Sequence, residues 1–208
     1  MDVYKAIFSR RTVRDFQAKA IDEEIIKKII DAGLRAPSND HMREWEFVVI
    51  QDQSVRVRVI DRVQKHYIKE EVEAWLDSWN SVNPVQRSMY LDGVPKQYRM
   101  LLSAGCLILP FFRQPWPLLK PESLSSLNAF ASIWCCIENM LIAAAAEGIY
   151  GVTRIPFDKE IKYIKEVVDC PADYEIPCYL ALGYPGDNAS KIKQHSVKAE
   201  DRIHWNCW

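Results

Sequence analysis

The first regular pattern along the chain is helical. Ile25, Ile26, Ile29, Ile30 and Leu34 recur on one helical face. Asp22 is placed to cap the start of that helix and Pro37 to stop it. The β-branched run EFVVIQ at 46–51 predicts a short buried strand. Ser54 then opens a charged helix with Val55, Val59, Val63 and Tyr67 at four-residue steps, expected to run to about Trp79 as a surface excursion. Pro84, Gly93 and Pro95 predict a loop-rich stretch over 80–100. GCLILPFF at 105–112 predicts a second buried strand, which Pro110 should end or confine to an edge. The stretch 113–126, with three prolines and Trp116, reads as a lid or binding loop, with Phe111 and Phe112 as further lid candidates. A helix over 127–147 is apolar almost all round and is closed by Gly148. Such a helix belongs in a domain centre or a subunit interface. Asp158 should cap a helix carrying Ile161, Ile164, Val167 and Val168, and IPCYLAL at 176–182 predicts a third strand ended by the turn GYPG.

This order predicts an α+β fold, a sheet of few strands flanked by helices. One domain spans 1–208, with a helical and loop insertion around 60–100 and a C-terminal arm over 187–208. The arm ends in IHWNCW, and its two tryptophans imply that it packs on something, a second subunit being one candidate.

Charge narrows the function. Lys and Arg number 27 against 28 Asp and Glu, so the chain lacks the positive field that nucleic-acid binding needs. The apolar stretch 133–146 is interrupted by Glu138 and Asn139, which argues against a membrane span. The six cysteines form no C-x-x-C pair and no zinc-finger spacing, which points to a reduced, cytoplasmic protein without a structural metal. Cys135 and Cys136 lie inside the apolar helix and read as packing.

Ser9-Arg10-Arg11-Thr12-Val13-Arg14-Asp15-Phe16 carries the chemistry. Guanidinium forks suit phosphate oxygens. In a helical conformation Arg10 and Arg14 would share a face, and Ser9 or Thr12 would cap the turn. The competing reading is a solvated basic patch.

Four segments in order, SRRTVRDF at 9–16, APSNDHMREWEFVVIQD at 36–52, the apolar helix leading into GIYGVTRIP at 148–156, and LALGYP at 180–185 with the HWNCW ending, resemble the nitroreductase family of FMN-dependent oxidoreductases. The resemblance implies a mostly antiparallel central sheet flanked by helices and an intertwined homodimer whose two FMN sites are built from both subunits. Arg10, Arg11, Thr12 and Arg14 match the family's phosphate and ribityl contacts. Pro37, Ser38 and Asn39 match the loop that reaches the flavin from the other subunit, and Thr153, Arg154 and Ile155 the backbone beside the isoalloxazine. Lys193 and His195 match a basic pair that completes the phosphate site, with Lys191 as the competing register. Where the family has Asn, Gln and Pro, this chain has His41, Arg43 and Glu44. These residues either line the site, with His41 hydrogen-bonding the flavin, or form a drifted polar loop.

The implied activity is ping-pong hydride transfer from NADH or NADPH through FMN to a small acceptor such as a nitro compound or quinone. A cation such as Arg154 or Arg10 near the pyrimidine edge would favour the reduced flavin. No catalytic acid, base or nucleophile and no metal is expected, and neither is a nucleic-acid or membrane partner. The alternatives are reductive dehalogenation, dehydrogenation or flavin breakdown on the same fold, or a flavin-binding protein without turnover.

Overall fold

The computed structural model describes residues 2–79, 83–190 and 196–208. Strand β2 (Cys106–Arg113) organises it. Every residue from Cys106 to Phe112 is buried, because successive side chains leave a strand on opposite faces and here both faces are covered. Cys106, Ile108 and Phe112 enter one core with Ile26 and Ile29 of α2 (Glu23–Leu34) and Ile133, Ile137 and Met140 of α7 (Asn128–Ala146). Leu107, Leu109 and Phe111 enter a second core with Val59 of α3 (Gln53–Val59), Met100 and Leu101 of α6 (Gln97–Ser103) and Ile164 of α8 (Asp158–Val167). Three layers result: α2 and α7, the sheet, then α3, α6 and α8. The expected lid role of Phe111 and Phe112 is thereby excluded: they are 2% and 1% exposed.

The sheet order is β1 (Trp45–Ile50), β2, β5 (Tyr179–Gly183), β3 (Tyr150–Arg154), and β4 (Tyr174–Glu175) pairs with the far end of β2. All these pairings are antiparallel. Pro110 neither ends β2 nor lies on an edge strand. On one side β5 pairs with Cys106, Leu107 and Ile108 and β4 with Phe112 and Arg113, so Pro110 falls in the gap between them. A residue without an N–H leaves no orphan donor there.

The insertion differs from its reading. Asp52, not Ser54, caps α3, accepting from Val55 N at 2.9 Å. That helix ends at Val59, and α4 (Lys69–Asp77) is separate. The break lets the chain turn and bury Val63 in the second core, while Tyr67 packs in a small third cluster with Val72 and Leu76. The stretch expected to be loop-rich holds α5 (Pro84–Gly93) and α6. Pro84 occupies the first helical turn, where its missing N–H costs nothing, and Asn83 caps it by accepting from Val85 N at 2.8 Å. Pro95 lies in a single turn of 3₁₀-helix between the two.

Helix α7 is closed by Gly148, whose φ of 73° suits a residue without Cβ. With the preceding 3₁₀ turn it makes up a segment, Leu124–Ala146, that is long and apolar enough to cross a membrane, contrary to the sequence expectation. It instead packs against α2 and the sheet, leaving a stripe of Ala131, Cys135 and Glu138 exposed. Helix α1 (Val3–Ser9) also exposes Tyr4 and Phe8. In the arm, Trp205 and Trp208 remain uncovered, so the packing expected of them is not made within the chain.

Candidate functional site

The basic segment is extended, not helical. Helix α1, capped at its start by Asp2, ends at Ser9, whose Oγ donates to Ala6 O at 3.0 Å. Beyond it the backbone is recruited by the free edge of β3: Val13 N donates to Gly151 O at 3.2 Å, and Thr12 bridges Gly151 in parallel. Arg10 and Arg14 therefore share no helical face, and neither Ser9 nor Thr12 caps a turn at this segment. Gly151 has no room for a side chain, since a Cβ would lie 2.5 Å from Leu182 Cδ2. Val13 anchors the segment by its burial, and its neighbours Thr12 and Arg14 remain partly or fully accessible.

The three guanidiniums differ in how far they are neutralised. Arg11 donates to the carbonyls of Phe8 and Arg10 at 2.7 and 2.6 Å and has no carboxylate partner among the described residues. Arg10 Nε stands 3.4 Å from Glu138 Oε1 on α7. Arg14 is half buried with Asp92 at 3.7 Å, and its guanidinium lies over Gly93, where a Cβ would come within 3.0 Å of Nε. Burial pulls Arg14 below the ordinary arginine range, against the opposing pull of Asp92 and Asp15. The next residue, Asp15, binds Lys96 at 2.7 Å and also Arg99, and Lys96 in turn binds Asp92. This network ties the basic segment to the insertion. The i,i+4 spacing of Asp92 and Lys96 was a readable signal for it.

Arg154 is different. It is 5% exposed, grips Glu160 with both terminal nitrogens, and donates from Nε to Gln97 Oε1 at 2.8 Å. Its guanidinium also lies 5.5 Å from the Tyr179 ring centroid. Its positive charge is thus neutralised inside the protein, and the expectation that it favours a reduced flavin from outside is not met by this arrangement. Glu160 also accepts from Phe157 N at 3.2 Å, closing the first turn of α8, in which Asp158 is the first residue and not the cap. Neither Glu160 nor Gln97 was singled out by sequence reasoning. Thr153 is partly exposed, and Ile155 presents an apolar side chain that is 60% exposed.

The loop after α2 holds Pro37, Ser38, Asn39 and His41. Asp40, His41 and Arg43 all have positive φ, of 51°, 56° and 47°, a conformation non-glycine residues keep only when the surroundings enforce it. The enforcing contacts are Asn39 N to Ser132 Oγ at 3.0 Å, Asn128 Nδ2 to Asn39 Oδ1 at 3.1 Å, and Arg43 Nε to Leu34 O at 3.2 Å. Glu44 pairs with Arg113 at 2.9 Å. Arg43 and Glu44 therefore hold the loop together. The His41 ring is exposed and has no hydrogen-bond partner among the described residues.

Within one chain the structure pairs Thr12 and Val13 with Gly151, while 37–41 are anchored on α7. Asn39 meets α7 at Ser132 and Arg10 meets it at Glu138, about 9 Å further along the helix axis. Lys191, Lys193 and His195 lie outside the described residues. No cluster of three or more potential metal ligands occurs among the described residues.

The 113–126 stretch is irregular and held at its base by Gln114. This side chain is 5% exposed, and its Nε2 donates to Trp116 O at 3.1 Å and Ser126 O at 3.2 Å. Between this loop and α8 lies a groove of about 870 Å³, which Ile155 and Pro156 enter from β3.

Comparison with known proteins agrees with this architecture. The chain is similar to the iodotyrosine deiodinase of Nematostella vectensis, 24% identical over 90% of this chain and 69% of that protein. It is 25% identical to a candidate NADH dehydrogenase/NAD(P)H nitroreductase of Methanothermobacter thermautotrophicus, over 100% of this chain and 88% of that one. Its fold is shared with oxidised iodotyrosine deiodinase bound to FMN and 3-iodo-L-tyrosine, at a TM-score of 0.73 and 19% identity over 100% of both chains. The model of the nitroreductase family matches residues 7–184, and the chain belongs to that family.

Proposed function

We propose that the chain is an FMN-dependent NAD(P)H oxidoreductase of nitroreductase type, acting in the cytoplasm as a homodimer on small electron-poor acceptors such as nitro compounds and quinones. The observation that carries this reading is the junction of Val13 with Gly151, which sets incompletely neutralised guanidiniums beside the start of β3. The residues fit the cofactor. Arg11, without a carboxylate, and Arg10, with a long ion pair, would hold a phosphoryl group. Thr12 and Arg14 would meet the ribityl chain and ring, and Thr153, Arg154 and Ile155 would offer backbone and apolar surface to the ring. Lys193 and His195 would complete the phosphate site. FMN, when bound, supplies the redox chemistry, passing hydride equivalents from NAD(P)H to the acceptor. The protein's part is to bind and orient, and no side chain is assigned a proton-transfer role.

The homodimer rests on exposed apolar surface. The outer face of α1, with Tyr4 and Phe8, and Trp205 and Trp208 of the arm are the exposed apolar surface a second copy would cover, together with Ala131 and Cys135 on α7. Pro37, Ser38, Asn39 and His41, whose anchor on α7 lies about 9 Å from that of Arg10 in their own chain, would then reach the site of the second copy. Alkylation of Cys135 on the α7 stripe checks this: it should be slow in the dimer and fast in any monomer.

Purified protein should be yellow, bleach with NADH or NADPH under anaerobic conditions, and recolour on addition of a nitroaromatic or quinone. A colourless protein that takes up no FMN would sink the reading. Flavin that binds but is never bleached would indicate a store or regulator. A second reading, reductive dehalogenation, is favoured by the deiodinases among the relatives. Iodide release from 3-iodotyrosine, with no turnover of nitro compounds or quinones, would select it.

A further inference from the structure

The groove that begins at Ile155 is much larger than a single-ring acceptor needs. Its volume is about 870 Å³, toward the upper end of the range for small-molecule sites. It is also long. Asp158 and Glu166, both lining it, are eight residues apart on α8, about 12 Å along the axis. Its walls are apolar: Leu118 and Leu119 on the loop side, Ile161 and Ile176 on the other, with Phe130 of α7 and Ile155 as further lining. The charged residues lining it are unbalanced. Asp158, Glu166, Asp169 and Glu175 face Lys162 and Lys165, and Lys165 is already tied to Glu175 at 3.1 Å. An excess of carboxylates repels an acidic ligand, and the hydrocarbon walls along the length between them match a ligand whose body carries no charge.

We propose that this groove is a subsite for an uncharged, elongated apolar molecule. Its electron-accepting head lies at Ile155, and its apolar substituent runs between Leu118–Leu119 and Ile161–Ile176. The substrate class is then a neutral quinone or nitroarene bearing a long hydrocarbon chain. The accepting role of the head rests on the flavin reading given above; the chain-binding groove does not.

The test uses two benzoquinones with the same head, one carrying a decyl chain and one a methyl group. Both are titrated by calorimetry into the full-length protein, with and without FMN. The decyl compound should bind at least about tenfold more tightly, a modest fraction of what full burial of its methylenes would give. Leu119→Asp should cut that preference severalfold and leave the methyl compound unchanged. Leu119 is 82% exposed, so the fold does not depend on it. Equal binding of the two quinones, or a preference that survives Leu119→Asp, overturns the groove. A Trp205→Ser, Trp208→Ser variant that binds the decyl compound more tightly than the parent also overturns it, because the arm of a second copy would then be the natural occupant. Chain preference in a protein that takes up no FMN overturns the accepting role alone.

Discussion

Two arginine regions with the same charge behave differently. Arg154 is sealed against Glu160, Gln97 and Tyr179 at the edge of the second core. Arg10, Arg11 and Arg14, on the segment paired with that same strand, are partly open and incompletely neutralised. The difference lies in what each backbone position faces. Arg154 belongs to a strand with covered faces, where an unpaired charge is not tolerated and a carboxylate must meet it. The basic segment is added to the outside of that strand, where water can solvate a guanidinium. Under the proposed function, the charge left without its full complement of partners is the charge available to a ligand.

The largest effect should come from breaking the sealed pair. Glu160→Ala leaves a buried guanidinium uncompensated and should destabilise the protein by about 3–5 kcal/mol, read as a lowered urea midpoint. If the midpoint holds, Arg154 is solvated and the contrast between the regions fails. Arg10→Ala with Arg11→Ala should do the opposite. The folded state should change by no more than about 0.5 kcal/mol, while FMN affinity falls by about 10–100-fold, in line with losing charge-assisted hydrogen bonds. Flavin retained at full occupancy would place the phosphate elsewhere.

Thiols sharpen the same contrast between interior and rim. Burial pushes Cys106 and Cys136 up to about 12, and Cys178 is raised by burial as well. Alkylation near pH 8, followed by mass spectrometry, should therefore spare these three in the native protein and modify the exposed Cys207 first. Early labelling of Cys178 would mean that the core opens. The smallest effect concerns Asp173, which Arg113 holds below the ordinary carboxylate range by a 2.8 Å hydrogen bond. Because its folded value is lowered, its contribution is complete above the ordinary carboxylate range and is lost as pH falls through the lowered value. Arg113→Met should flatten that acid limb slightly, the pair being solvent-screened.

Much of the fold was legible because local pattern and tertiary role agree. Ile26 and Ile29 announce α2 by spacing, and the seven buried residues of β2 announce a strand covered on both faces. The failures share a cause. Pro84, Gly93 and Pro95 look like breakers in the sequence, but proline in the first turn of a helix is compatible with it, and the context decides. Strand β3 has no run of apolar residues; its extended shape comes from β5 on one side and Val13 on the other. At the candidate site the Arg10–Arg14 segment was visible as a motif, but its partners were not. Asp92, the partner of Arg14, comes from the insertion and Glu138, the partner of Arg10, from α7, and distance along the chain hides such pairings.

The grip of Gln114 has a consequence for variation. Both oxygens it holds belong to the main chain, at Trp116 and Ser126, so the clasp is indifferent to the side chains it encloses. The intervening stretch can be exchanged as a cassette, its ends held at the same two points whatever residues it carries. Leu118 is the exception, because it packs on the first core and its replacement must fill the same space.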